Sequence, residues 1–247
     1  MNARRGGLAL PVLFALSAFL VFVGLGTWQL DRKAWKEELI ATLSLRSNAE
    51  PADLPDASRW PAMNQTDDEF RRVKFRAEFL PAREALVYSS GSALRPDVKA
   101  PGYFVFAPAR TEKGAVIVIN RGFSPDARAR APDSPKPPGM IEMVGALRWP
   151  ERAGWFVREH DEAEDTWFAR NHVAMAAHNE WGFPGPFYLE LERPVPPGGL
   201  PQPGPLRVNL RNEHLQYAIT WFGLAAVLVV MFGLWLRARR RAAPGAA

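Results

Sequence analysis

The residues best suited to chemistry lie in the stretch "RNEHLQYAITW", where one histidine precedes a long apolar run. In a helix, His214, either Tyr217 or Ala218, and Trp221 would share a face, because side chains three, four and seven residues apart align. Imidazole is a common axial ligand of haem iron, and an indole beside it would flank a flat macrocycle. The spacing is compatible with a haem site and also with an aromatic belt at a membrane edge.

Basic side chains flank the same region. Arg211 precedes the second apolar run of the chain, and Arg32 follows the first. Such cations form charge-assisted hydrogen bonds with carboxylates, which makes them candidates to pair with haem propionates. The alternative treats Trp28, Tyr217 and Trp221 as interfacial anchors and the cations as snorkelling side chains. The residues alone leave both interpretations open.

Two apolar segments must position these side chains. Neither 6–30 nor 215–236 contains a charged residue, and each exceeds the roughly 20 residues that cross a bilayer as a helix. Arginines near both chain ends place those ends in the cytoplasm or the mitochondrial matrix by the positive-inside rule. A cleaved signal peptide is the less favoured alternative, because the first run is too long for one. The predicted order is a cytoplasmic tail at 1–7, membrane helices at 8–30 and 215–236 around an extracytoplasmic domain at 31–214, and a basic tail at 237–247.

Alternating hydrophobicity predicts strands in the intervening domain. In "RRVKFRAEF" (71–79), apolar residues alternate with charged ones, which is typical of a half-buried strand. The four residues "TEKG" (111–114) predict a hairpin turn. This pattern favours an antiparallel sandwich or small barrel in an α+β domain. Further strands, rich in β-branched and aromatic residues, are predicted at 84–90, 102–109, 115–123, 141–149, 166–171 and 187–193.

Helical and proline-rich segments complete the predicted domain. The segment 32–47 should continue the first membrane helix, and 171–181 should form a short helix with Asn171 as its N-cap. The proline-rich segment 124–139 predicts a long exposed loop. The second proline-rich segment, 194–205, predicts an extended linker that returns the chain to the membrane.

Composition and motif content argue against several functions. Six of the 31 basic residues lie in the terminal tails, which leaves 25 basic against 26 acidic residues elsewhere, so no nucleic-acid surface is expected. The absence of cysteine excludes a thiol redox enzyme and a cysteine-ligated zinc site. Nucleophile-elbow, P-loop and zincin motifs are missing. The acidic segment 158–167 is interpreted as a solvated surface, and His172 and His178 are too far around a helix to chelate simply. A non-enzymatic protein is therefore expected.

Three motifs, in their order and spacing, resemble the surfeit locus protein 1 family. The first, "GLGTWQLDRKAWKEELI", closes the first apolar run, the second is "VIVINRGFSP" (116–125), and the third, "NEHLQYAITWFGLA" (212–225), opens the second run. Two positions depart from the family pattern: Glu213 stands where asparagine is frequent, and Phe123 where tryptophan is common. Besides His214, Tyr217 and Trp221, the matching residues include Gly26, Trp28, Gln29, Asn120, Arg121 and Gly122.

The resemblance implies a cytochrome c oxidase assembly factor. Family members are implicated in supplying or inserting haem a into the oxidase catalytic subunit, and the histidine matching His214 is proposed as the haem iron ligand. Haem a is then expected to bind transiently at the outer membrane edge, and haem a synthase is a second candidate partner. The alternative is a cofactor-free membrane scaffold that stabilises an oxidase assembly intermediate.

Two further expectations concern the middle motif and the location. The Asn120–Arg121–Gly122 segment is predicted to be a turn in which Gly122 takes a positive φ. The alternative is that Arg121 reaches a partner or a haem propionate. The short basic N-terminus favours a bacterial inner membrane, with the central domain in the periplasm.

Overall fold

The computed structural model describes residues 8–92, 94–125, 135–151, 159–207 and 212–242. The chain divides into two compact units: Met1–Ile40 with Leu210–Ala247, called here the helical unit, and Ala41–Asn209, called the β unit. The helices are α1 (Ala9–Asn48), α2 (Gln65–Asp68), α3 (His172–His178) and α4 (His214–Ala242). A 3-10 helix covers Ala57–Ala62.

Helices α1 and α4 are both long and apolar enough to cross a membrane. Helix α1 continues without a break for 40 residues, so the predicted helical extension through 32–47 is confirmed. Apolar side chains of both helices, such as Leu13 and Val229, remain exposed in the folded chain. Exposed apolar surface of this kind is what a bilayer would cover.

The described strands of the β unit form one sheet that closes on itself. Strand β2 pairs with both β6 and β4, and the closed path runs β2–β6–β9–β5–β4–β2. The barrel predicted as one of two alternatives is thus confirmed. The strands are β1 (Ala52–Asp53), β2 (Arg72–Phe79), β3 (Ala85–Ser89), β4 (Gly102–Thr111), β5 (Val116–Pro125), β6 (Ile141–Arg148), β7 (His160–Asp161), β8 (Thr166–Trp167) and β9 (Tyr188–Arg193).

Strand pairing departs from the antiparallel expectation at one barrel seam. Strand β9 lies parallel to β5 and antiparallel to β6. A parallel neighbour requires a crossover connection rather than a tight turn, and the chain between β5 and β9 includes β6, the β7–β8 hairpin and α3. This long connection brings α3 and the β7–β8 hairpin to the barrel.

Apolar side chains fill the barrel interior. On β2 every second residue is buried, as the sequence pattern predicted. The apolar interior serves as the main core of the β unit. Its strand residues are Val73, Phe75, Ala77, Phe79, Ala107, Ala109, Ile117, Ile119, Met143, Leu147, Leu189 and Leu191, closed off by Trp60 and Phe187.

A second core covers the outer face of β3, β4 and β5. Met175 and Ala176 of α3 pack there with Phe104, Phe106 and Trp181. Strands β4 and β5 are therefore buried on both faces, which explains why their sequences lack polar alternation. The predicted N-cap of α3 is confirmed, since the Asn171 side chain accepts a hydrogen bond from the Ala174 amide.

One predicted strand was too long, and one predicted linker packs against the β unit. The strand predicted at 166–171 contains only Thr166–Trp167, because α3 begins at His172 after a short connection. The segment 194–205 forms no helix or strand, as predicted, but it packs against the β unit, where Gln202 exchanges backbone hydrogen bonds of 2.9 and 2.7 Å with Phe123. Part of the predicted loop at 124–139 lies outside the described residues, and its first two residues belong to β5.

Candidate functional site

A short hydrogen bond joins the two helices of the helical unit. His214 Nδ1 lies 2.6 Å from Gln29 Oε1. Gln29 is only 9% exposed although it is polar and lies at the end of an apolar run. A buried amide of this kind requires a partner, and the imidazole provides it.

This bond determines which nitrogen of the His214 ring donates a hydrogen bond. The Gln29 carbonyl oxygen can only accept a hydrogen bond, so Nδ1 must be the nitrogen that donates. In a neutral imidazole, the lone pair is then on Nε2. None of the residues that the structure describes hydrogen-bonds to Nε2. The arrangement matches metal-binding histidines, whose second nitrogen donates to an oxygen that orients the ring.

Close helix packing sets the register that brings these two side chains together. A Cβ added at Gly26 would lie 2.7 Å from ring carbons of Phe222, so a larger residue at this position would require the ring or the helices to move. One turn further, Phe22 and Trp221 stack with centroids 5.9 Å apart. Helices α1 and α4 therefore pack antiparallel, with Gln29, Gly26 and Phe22 opposite His214, Phe222 and Trp221.

Spacing allowed either Tyr217 or Ala218 on the same helix face as His214, and the structure places Ala218 there. Ala218 is 1% exposed, whereas Tyr217 is 52% exposed and lies outside the interhelical face. Trp221 shares the face with His214 but is stacked on Phe22 rather than left open. The predicted helix face is therefore present, and the Trp221 indole on this face contacts α1.

The other predicted site residues near the membrane spans are Arg32, Trp28 and Arg211. The Arg32 guanidinium lies 3.8 Å from the ring centroid of Trp35, one turn along α1. Trp28 is 55% exposed, which suits an interfacial anchor. Arg211 lies outside the described residues.

The Asn120–Arg121–Gly122 motif lies in the β unit, inside strand β5. The predicted turn was wrong, although Gly122 does have a positive φ, of 126°. A Cβ there would lie 2.2 Å from the Gln202 carbonyl oxygen, so the glycine admits the crossing 194–205 segment. The Asn120 side chain accepts a hydrogen bond from the Gly122 amide. The motif thus shapes an irregular strand to receive another segment of the domain.

Arg121 belongs to the same packing arrangement. Its side chain is 2% exposed, forms an ion pair with Glu84 and donates to the Pro135 carbonyl oxygen. Its guanidinium also lies 5.3 Å from the ring centroid of Phe79. These contacts give Arg121 a role inside the β unit.

Comparisons with known proteins agree with these motifs. The sequence model of the SURF1 family matches residues 16–226, which include Gln29, the Asn120–Arg121–Gly122 motif and His214. The chain belongs to the SURF1 family. It is 36% identical to a SURF1-like protein of Monosiga brevicollis, over 97% of this chain and 90% of the relative. It is 34% identical to Surfeit locus protein 1 of Rattus norvegicus and 32% identical to that of Homo sapiens, covering 93% and 95% of this chain and 78% of each relative.

This SURF1-family chain also buries a cluster of charges on the outside of its barrel. Glu190 is 1% exposed, and its carboxylate oxygens have no hydrogen-bond partner among the described residues. Burial lowers the pKa of Arg148, but the carboxylates of Glu69 and Glu190 raise it above the ordinary arginine value overall. Burial raises the pKa of the Tyr188 hydroxyl to about 12, so this group stays neutral. We assign the cluster a structural role, because its opposite charges lie close together inside the β unit.

Proposed function

We propose that this chain is a cytochrome c oxidase assembly factor that carries haem a at the outer membrane end of its helix pair. The observation that carries the proposal is the hydrogen bond from His214 Nδ1 to Gln29 Oε1. It directs Nδ1–H of His214 at Gln29 and leaves Nε2 to face a metal ion, and imidazole is a common ligand of haem iron. The family motifs and the two apolar helices are in keeping with this role.

The residues around His214 fit a haem that is held only transiently. A single histidine ligand leaves the iron free to exchange to another protein, which a carrier needs. Arg32 stacks on Trp35 through its flat face, so the N–H edge of its guanidinium is suited to a propionate. Arg211 would supply a second cation, and Tyr217 and Trp221 would border the ring. The isoprenoid tail of haem a would remain in the lipid.

The partners and location follow from the same proposal. The oxidase catalytic subunit is the acceptor of haem a, and haem a synthase is the candidate donor. The positive-inside rule puts the β unit on the side of the membrane away from the arginine-rich tails, and we propose a bacterial inner membrane with the periplasm on that side. The role requires no bond-making step by the protein.

A cofactor-free scaffold is the second candidate function. The observation that favours it is the stacking of Trp221 on Phe22, which occupies the indole expected to flank a macrocycle. In this case the helix pair would bind another membrane helix and stabilise an assembly intermediate. The scaffold predicts a colourless purified protein whose loss leaves haem a synthesis intact.

Absorption spectroscopy of the purified protein tests the haem proposal. The chain is co-expressed with a haem a synthesis pathway, purified in detergent, and its haem a content per chain is measured. We expect haem a in the wild type, background absorption in His214→Ala, and wild-type content in Gln216→Ala, an exposed position on the same turn of α4. Equal haem content in wild type and His214→Ala would overturn the proposal.

Substitutions of Gln29 test whether its carbonyl orients the ligand. Gln29→Leu removes the acceptor at Nδ1 and should weaken haem affinity about tenfold or more, as loss of such outer contacts usually does. Gln29→Glu keeps an acceptor oxygen and should retain most of the affinity. Haem titration of the apoprotein measures both. If Gln29→Leu binds as tightly as wild type, the hydrogen bond does not prepare the ligand.

A further inference from the structure

Two histidines and an aspartate converge on the outside of the β unit, in a cluster that the family motifs do not include. His160 lies in β7, Asp165 directly precedes β8, and His178 is the last residue of α3. Their three ligand atoms lie within 4.8 Å of one another. We propose that this His160–Asp165–His178 cluster binds a divalent transition-metal ion such as Zn²⁺.

His160 Nε2 is within hydrogen-bond distance of Asp165, but His178 Nε2 is beyond the ordinary hydrogen-bond distance from the same oxygen. Both Nε2 atoms face the same Asp165 oxygen, Oδ1, at 3.2 Å from His160 and 3.5 Å from His178. A separation of 3.5 Å is too long for an ordinary N–H···O bond. Ligand atoms about 2.1 Å from a tetrahedral Zn²⁺ lie about 3.4 Å from each other, so a shared cation accounts for both separations.

Neighbouring contacts hold each ligand in place. The His160 ring stacks on Trp167 with centroids 4.1 Å apart and an interplanar angle of 19°. Arg83 binds the other oxygen of Asp165, Oδ2, at 2.6 Å, which leaves Oδ1 directed at the imidazoles. The Asn171 side chain donates to Glu159, linking the start of α3 to the residue before β7. The cluster is therefore built by the β7–β8 hairpin and the last residue of α3.

Exposure and charge agree with a metal site that exchanges with solvent. The side chains of His160, Asp165 and His178 are 13%, 26% and 41% exposed, so the cluster opens to water on one side. That opening leaves a coordination position for water or a partner's ligand. The nearby carboxylates of Asp161, Glu162 and Glu164 raise the local concentration of cations.

The ligand types indicate the class of metal. Two imidazoles and one carboxylate suit Zn²⁺, Cu²⁺, Ni²⁺ or Co²⁺, whereas Mg²⁺ and Ca²⁺ prefer oxygen ligands throughout. A site that depends on its histidines must therefore discriminate against Mg²⁺. An acidic surface that merely attracts cations would not discriminate between Zn²⁺ and Mg²⁺.

Calorimetric titration of the full-length protein in detergent tests the site, with Zn²⁺ as the probe and Mg²⁺ as the comparison. We expect a saturable site that binds one Zn²⁺ per chain and does not bind Mg²⁺. His178→Gln and His160→Gln should each weaken Zn²⁺ binding at least about tenfold, since loss of a direct ligand costs no less than loss of an outer one. Glu162→Gln, which removes a neighbouring charge but no ligand, should weaken Zn²⁺ binding much less than either histidine variant.

Two results would overturn the metal site: no saturable Zn²⁺ binding by the wild type, or equal affinity in wild type and both histidine variants. If His160→Gln fails to fold, the Zn²⁺ affinity of His178→Gln alone tests the site. The His178 side chain is 41% exposed, so a glutamine can be accommodated there. The thermal unfolding midpoint of His178→Gln without Zn²⁺ should equal that of the wild type. Its haem a content should also be unchanged, which separates this site from His214.

Discussion

At the scale of single residues, burial and hydrogen-bond partners give the histidines of this chain different chemistry. His172 is fully buried, and its Nε2 donates to the Gly185 carbonyl oxygen at 2.9 Å. Its Nδ1 has no partner among the described residues, so a second proton there would be buried without an acceptor. Burial lowers the pKa of His172 to about 4. His172 is therefore a neutral core residue at pH 7.

The depressed pKa of His172 predicts a pH-dependent stability. The unfolded chain takes up a proton near the ordinary histidine pKa of about 6.5, but the folded chain does so only near 4. Between these values the unfolded state binds more protons, so this contribution to stability is complete above about pH 6.5 and is lost towards pH 4. The slope should reach about 1.4 kcal/mol per pH unit at most.

Denaturant titration of wild type and His172→Gln across pH 7.5 to 4.5 measures this contribution. The variant should be less stable at pH 7.5, because it loses a fitted buried ring, and the gap should narrow as the pH falls. The carboxylates and the other histidines titrate equally in both proteins, so they cancel in the difference. A gap that stays constant with pH would contradict the buried neutral imidazole.

The sequence located some of these residues but not their partners. Helical spacing placed His214, Ala218 and Trp221 on one face, because that relation is internal to one helix. It could not pair His214 with Gln29, since the register between two helices far apart in sequence is set by packing. For the same reason, the sequence did not predict that His160, Asp165 and His178 form a cluster. Helical spacing relates His178 only to His172 in the same helix, whereas the fold brings His178 next to His160.

At the scale of elements, the glycines of α1 have different surroundings. Gly26 faces the Phe222 ring, but at Gly24, half a turn away, an added Cβ would meet nothing within 4 Å. Alanine is favoured over glycine in helices by about 1 kcal/mol. Gly24→Ala should therefore be neutral or stabilising, whereas Gly26→Ala should cost about 1–3 kcal/mol through overpacking against Phe222.

Thermal unfolding of the two alanine variants in detergent compares them directly. Gly26→Ala should also lower haem a content, because separating the helices draws Gln29 away from His214. Gly24→Ala serves as the matched control in the same helix. If both variants melt and bind haem alike, the close approach of α1 and α4 is not required.

Strand prediction worked where one face of a strand is exposed. Strand β2 alternates because its outer side chains meet solvent, and its bounds were found within one residue. Strands β7 and β8 have two residues each, too few for any period to appear. The barrel closure and the parallel β5–β9 seam depend on contacts between distant strands. Local patterns carry no information on such pairings.

At the scale of the whole molecule, charge is divided between the tails and the rest of the chain. The two tails hold six arginines and no acid, while the rest has 25 basic and 26 acidic residues. Arginines clustered beside a membrane span resist transfer, whereas a long domain crosses the membrane largely regardless of its charge. The proposed topology therefore places residues 31–214 outside the cytoplasm and both tails inside.

Cysteine labelling tests this topology without background, because the chain has no native cysteine. Phe183, fully exposed on the β unit, and Arg240, exposed near the end of α4, are each replaced by cysteine. A membrane-impermeant maleimide should label Phe183→Cys in intact spheroplasts, and Arg240→Cys only after lysis. Labelling of Arg240→Cys in intact spheroplasts, or protection of Phe183→Cys, would invert the topology. His214 would then lie at the cytoplasmic edge, where a carrier could not serve an acceptor site near the outer surface.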